Sequence, residues 1–106
     1  MIKLSMNKKI KILKKVRIKD NDWNRPGGGY LNPGSIVQIT SGPTRISDVP
    51  FKVIEGSGEI THRGPIKDIT KEIKSGSTGF FFSQGHVTVS PYDYGTLDNN
   101  FFEEII

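Results

Sequence analysis

His62 and His86 are the only imidazoles in this chain, and imidazole is the side chain whose ordinary pKa lies near neutrality. Set beside Glu55 or Glu59 and a lysine, the two could act as general acid and base in a small ribonuclease. They lie 24 positions apart, however, each within a polar and apolar alternation that reads as a surface strand. Zinc would need shorter ligand spacing, and two histidines without cysteine would need carboxylates from elsewhere in the fold. The absence of cysteine also removes disulfides and thiol nucleophiles, and fits a reducing compartment. No catalytic or metal-binding motif stands out, and no cofactor is expected.

A second constellation surrounds Pro26-Gly27-Gly28-Gly29-Tyr30. Consecutive glycines let backbone N–H groups approach an anion, but a phosphate loop also needs a helix start or a Lys-Ser/Thr pair after them. Tyr30-Leu31-Asn32-Pro33 supplies neither, so the glycines read as a loop tip. Trp23 and Tyr30 flank this loop beside Arg25. Flat rings next to a guanidinium suit base stacking or anchoring of a protein interface, while Trp23 could equally fold back over a small core.

The third is charge. The first twenty residues carry Lys3, Lys8, Lys9, Lys11, Lys14, Lys15, Arg17 and Lys19 against Asp20 alone, a local charge of +7. The remaining residues sum to −3, giving the net +4, and no lysine or arginine follows Lys74. Asp93, Asp98, Glu103 and Glu104 make the other end acidic, so the chain reads as electrically polarised. Lys8, Lys9, Lys11, Lys14, Lys15, Arg17 and Lys19 could neutralise phosphates, meet an acidic protein surface, or protect a strand edge from aggregation. Lysine dominates arginine here, which argues against fork-like recognition of phosphates or base edges.

These groups must be positioned by a small domain. At 106 residues and 34% hydrophobic content, the chain suits one domain with a lean core, residues 1–106, in which residues 1–9 form a flexible basic tail. Met6-Asn7-Lys8-Lys9 resembles a start, with residues 1–5 as a loose extension. No run approaches the roughly 20 apolar residues of a membrane-spanning helix, so a soluble, cytoplasmic protein is expected.

Short β-branched and aromatic runs predict strands. One extended segment covers residues 10–18, a long loop residues 19–35, and a strand contains Ile36, Val37 and Ile39. Residues 51–62 read as a hairpin turning on Gly56-Ser57-Gly58. Ile66, Ile69 and Ile73 share a helical face, and Pro65 and Gly76 suit its two ends, which predicts a helix over residues 65–74. Phe80-Phe81-Phe82 and His86-Val87-Thr88-Val89 read as a second hairpin, and residues 101–106 as a closing strand or helical turn. Alternation sends at least one of the three phenylalanines to the opposite face. If both faces are covered all three are core; if the strand lies at an edge, one ring makes a patch for self-association. The expected fold is mainly β, a small barrel of five to six short strands with one short α-helix.

Lys15-Val16-Arg17-Ile18-Lys19-Asp20, then Leu31, then Gly34-Ser35-Ile36-Val37-Gln38-Ile39, resembles the opening of SH3-like small barrels, in which a first strand leads through a long loop to a glycine and a second strand. The resemblance spans about residues 15–55 and implies the fold without assigning functional residues. The Lys-, Ile- and Asn-rich style is similar to small accessory proteins of phages and mobile elements of low-GC bacteria. It implies a non-enzymatic binding module that engages a host or phage protein in the bacterial cytoplasm. Lys8, Lys11, Lys14, Lys15, Arg17, Lys19, Trp23, Arg25 and Tyr30 are the expected macromolecule-binding residues. Nucleic-acid binding through the same lysines is the alternative, and a ribonuclease using His62 and His86 a further one; homo-oligomerisation stays open.

Overall fold

The computed structural model describes residues 2–3, 5–19, 28–40, 49–62, 64–81, 96–97 and 99–105. They form eleven strands: β1 Ile2–Lys3, β2 Lys9–Ile12, β3 Val16–Lys19, β4 Gly28–Leu31, β5 Ile36–Ile39, β6 Val49–Glu55, β7 Gly58–His62, β8 Ile69–Glu72, β9 Thr78–Phe81, β10 Thr96–Leu97 and β11 Phe102–Ile105. β1 and β10 pair with each other, and the other nine make one antiparallel sheet in the order β11-β2-β5-β6-β9-β3-β4-β7-β8. The protein is therefore mainly β. The sheet is open, with β11 and β8 at its edges, rather than a closed barrel of five to six strands.

Chain connectivity forces this sheet to curl. β2 and β3 lie four places apart in it, about 19 Å if it were flat at roughly 4.8 Å per strand. From Ile12 to Val16 the chain can span only about 14 Å when fully extended. β6 and β7 are also four places apart, yet only Gly56 and Ser57 join them. The sheet must fold over so that its inner face closes on itself. A register shift between Ile36 and Val37, opposite residues 53–55 of β6, is a bulge of the kind that sharpens such bending.

Alternation fills the space this creates. Ile10 and Ile12, Val16 and Ile18, Val37 and Ile39, and Phe51 and Val53 each sit two apart on their strands, and all are buried. Phe81 stacks on Phe51 with ring centroids 4.4 Å apart and meets Phe102 edge-on at 5.1 Å. Three aromatic rings from β6, β9 and β11 thus join distant places in the sheet order.

Several sequence expectations give way. There is no helix among the described residues; residues 69–72, within the expected helix, form β8 against β7. The spacing was ambiguous, because Ile69 and Ile73 are four apart, which places them on one face of a strand as well as of a helix. A ten-residue helix is marginal alone, and β-branched residues weaken it further. Ile73 is buried while Ile66 is 95% exposed, so the three isoleucines share no face.

The hairpin over residues 51–62 also fails: β6 pairs with β5 and β9, and β7 with β4 and β8. Its glycines serve a crossover. Gly56 has φ 147°, and a Cβ there would strike Ser35. Ser57 N–H donates to the buried Ser35 Oγ at 3.2 Å, and Asn32 N–H donates to the Ser57 carbonyl at 3.0 Å. These bonds hold the link against the β4–β5 turn instead of letting it reverse.

The single segment over residues 10–18 divides at residues 13–15 into β2 and β3, and β4 occupies part of the expected 19–35 loop. Residues 102–105 are strand rather than helical turn. Of the second expected hairpin, Phe82 and residues 86–89 lie outside the described residues.

Candidate functional site

β3 sits between β9 and β4, and its outward residues are Arg17 and Lys19. Arg17 stands opposite Tyr30 on β4, Tyr30 opposite Glu59 on β7, and Glu59 opposite Glu72 on β8. Directly opposite residues point to the same face, so these four form one row across the outside of the sheet. The next row contains Phe80, Lys19, Gly28, Thr61 and Thr70. Phe80 is half-buried on this outer side while Phe81 is fully buried on the inner one, the division that alternation requires.

Lys14 and Lys15 are exposed in the link between β2 and β3. Lys15 Nζ lies 3.9 Å from the Tyr30 ring centroid, and Lys14 Nζ 5.6 Å from that of Phe101. Each ammonium is attracted by the ring's negative face, worth about 0.5–1 kcal/mol at exposed sites. The tyrosine therefore carries a cation over its face and another, Arg17, beside it across the ladder.

The expected polarity of the chain is undone by its topology. β11 pairs with β2 so that Glu103 faces Lys11 and Glu104 faces Ile10, and Glu104 Oε1 lies 3.2 Å from Lys8 Nζ. The acidic end thus lies along the basic segment and offsets Lys8 and Lys11. Lys14, Lys15, Arg17 and Lys19 stand opposite neither of these acids in the ladder, and from β3 the outer face passes to Glu59 and Glu72 two and three strands along. Replacing both acids in Glu103→Gln/Glu104→Gln is expected to alter stability by no more than about 1 kcal/mol, the range of exposed pairs. The same variant should elute from a heparin column at higher salt than the parent. Unchanged elution would mean that β11 does not mask the lysines.

Trp23 and Arg25 lie outside the described residues, as does His86. His62 sits on the face of β7 shared with Ile60, whereas Glu59 is on the opposite face. Among the described residues no group of three or more His, Asp or Glu side chains could hold a metal ion. No helix there is long and apolar enough to cross a membrane.

No known family model, curated protein or solved structure matches this chain.

Sequence reading picked out Arg17, Lys19 and Tyr30 separately, and the β3–β4 register brings them together. It missed Glu59 and Glu72 as parts of the same surface. Their signal, an outward position in paired strands, exists only once the register is known.

Proposed function

We propose that this protein is a non-enzymatic binding module of phage accessory type that engages a host or phage protein in the bacterial cytoplasm. The contact surface is the outer face of β3 and β4, with Lys15, Arg17 and Lys19 around Tyr30 and Lys14 beside Phe101. Likeness to SH3-like barrels over residues 15–55 belongs to the same proposal. The observation that carries it is the change of sign along the row Arg17, Tyr30, Glu59 and Glu72. A nucleic acid presents one sign of charge and would be repelled by the glutamates, whereas a protein surface can match both. Tyr30 supplies a large ring between the two signs, a residue type enriched among dominant interface contacts.

The test is capture of partners from host lysate, with and without nuclease, using the parent and an Arg17→Glu/Tyr30→Ala variant. A stoichiometric protein that survives nuclease and falls about tenfold or more in the variant is the expected result, a loss of about 1.4 kcal/mol or more. Recovery of nuclease-sensitive, salt-labile material instead would replace this reading with nucleic-acid binding.

A further inference from the structure

The edge strand β8, whose Glu72 ends that row, offers a separate contact through its backbone. All four of its residues are exposed, and among the described residues it pairs with β7 alone. Ile73 N–H donates to the carbonyl of Gly58, directly opposite, at 3.0 Å. In an antiparallel ladder, opposite pairs that exchange hydrogen bonds alternate with pairs that do not. Lys71 and Ile69 are accordingly bonded to Ile60 and His62, while Thr70 and Glu72 face Thr61 and Glu59 without mutual backbone bonds. The Thr61 and Thr70 hydroxyls meet at 3.0 Å, as the closer approach of a non-bonded pair allows. The N–H and C=O groups of Thr70 and Glu72 therefore point away from β7, toward the open edge.

We propose that this edge accepts an extended segment of a different protein as a tenth strand. Side-chain charge selects the occupant. A second copy joined antiparallel about a two-fold axis must bring Thr70 and Glu72 against their counterparts to bond. Thr70 against Thr70 sets Asp68 opposite Glu72; Thr70 against Glu72 sets Lys71 opposite Lys71; the remaining register opposes Glu72 to itself. Each register places like charges directly opposite, which destabilises a strand pair. A foreign segment can do the reverse, with a basic residue opposite Glu72, an acidic one opposite Lys71, threonine opposite Thr70 and an apolar residue opposite Ile69. Ile69, 50% exposed, and Ile66 at the adjoining loop give the apolar end something to cover. Read in the antiparallel direction, the preferred segment runs basic, acidic, threonine, apolar.

A synthetic peptide centred on Lys-Glu-Thr-Ile tests this, against a control with its two charges exchanged. The peptide should slow amide exchange at Thr70 and Glu72 and bind about tenfold more tightly than the control, a difference of about 1.4 kcal/mol. Thr70→Pro removes an edge donor that makes no bond to β7, so binding should fall about tenfold or more with β7 exchange unchanged. Glu72→Lys should reverse the preference between the two peptides, and it carries the test if the proline variant does not fold. Equal binding of both peptides, absence of protection at Thr70 and Glu72, or a dimer of the parent abolished by Thr70→Pro would each overturn the proposal. The Arg17→Glu/Tyr30→Ala variant should bind the peptide as the parent does, which separates this edge from the Tyr30 surface.

Discussion

Phe81→Ala is expected to remove about 3–5 kcal/mol of stability, the usual cost of truncating a buried phenylalanine. Phe81 is fully buried, stacked on Phe51 and edge-on to Phe102. Its two ring contacts add roughly 0.5–1.5 kcal/mol each beyond the area they cover. A domain of this size holds only about 5–15 kcal/mol in all, so the variant would lie close to unfolding. The loss should also be uneven. Phe102 is the buried side chain of β11, so removing the ring against it should loosen the strand that carries Glu103 and Glu104. Urea denaturation gives the total, and amide exchange along β11 gives the distribution. Phe80→Ala is the control, because that ring is half-buried on the outer face. If Phe80→Ala proved the more damaging, the assignment of inner and outer faces to β9 would be wrong.

That pair of phenylalanines shows which part of the fold was legible in the sequence. Local alternation was readable: Phe80 and Phe81 had to face opposite ways, and Ile36, Val37 and Ile39 had to lie in a strand. Partner choice was not. Residues 51–55 and 58–62 are each extended, as their composition indicates, yet the glycines between them permit a crossover as readily as a reversal. The crossover is held by Ser35, buried and hydrogen-bonded to Ser57 from 22 positions away. The isoleucines at 66, 69 and 73 failed for a related reason, since a spacing of four satisfies both periods and only the ladder to β7 distinguishes them. The charge reading failed at the same level. Lys8, Lys11, Glu103 and Glu104 are plainly charged in the sequence, but their opposition depends on β11 pairing with β2, a contact between the two ends of the chain. For the candidate surface, residue types were visible, and the row joining Arg17 to Glu72 required three registers.

Gly28 and Gly29 are alike in sequence but not in β4. Asn32 N–H donates to the carbonyl of Ser57, directly opposite, which fixes the phase of the β4–β7 ladder. Tyr30 and Gly28 then exchange bonds with β7, while Gly29 faces Ile60 in the close, non-bonded kind of pair. A Cβ on Gly29 would strike the Glu59 carbonyl and lie 2.8 Å from Ile60 Cα. Both obstacles are backbone and cannot be relieved by turning a side chain. Gly28 points outward, where a Cβ would meet only the Ile18 carbonyl at an ordinary 3.6 Å. Gly29→Ala should therefore cost about 1–3 kcal/mol, as overpacking does, while Gly28→Ala should fall within about 0.5 kcal/mol of the parent. Because relief requires β4 to move from β7, Gly29→Ala should also displace Tyr30 from Glu59 and weaken partner capture beyond its effect on stability. Chemical denaturation of the two variants, with capture measured well below their unfolding transitions, tests both steps. Equal stabilities would show that the β4–β7 approach is not close, and unaltered capture by a destabilised Gly29→Ala would show that the row through Tyr30 does not form the contact.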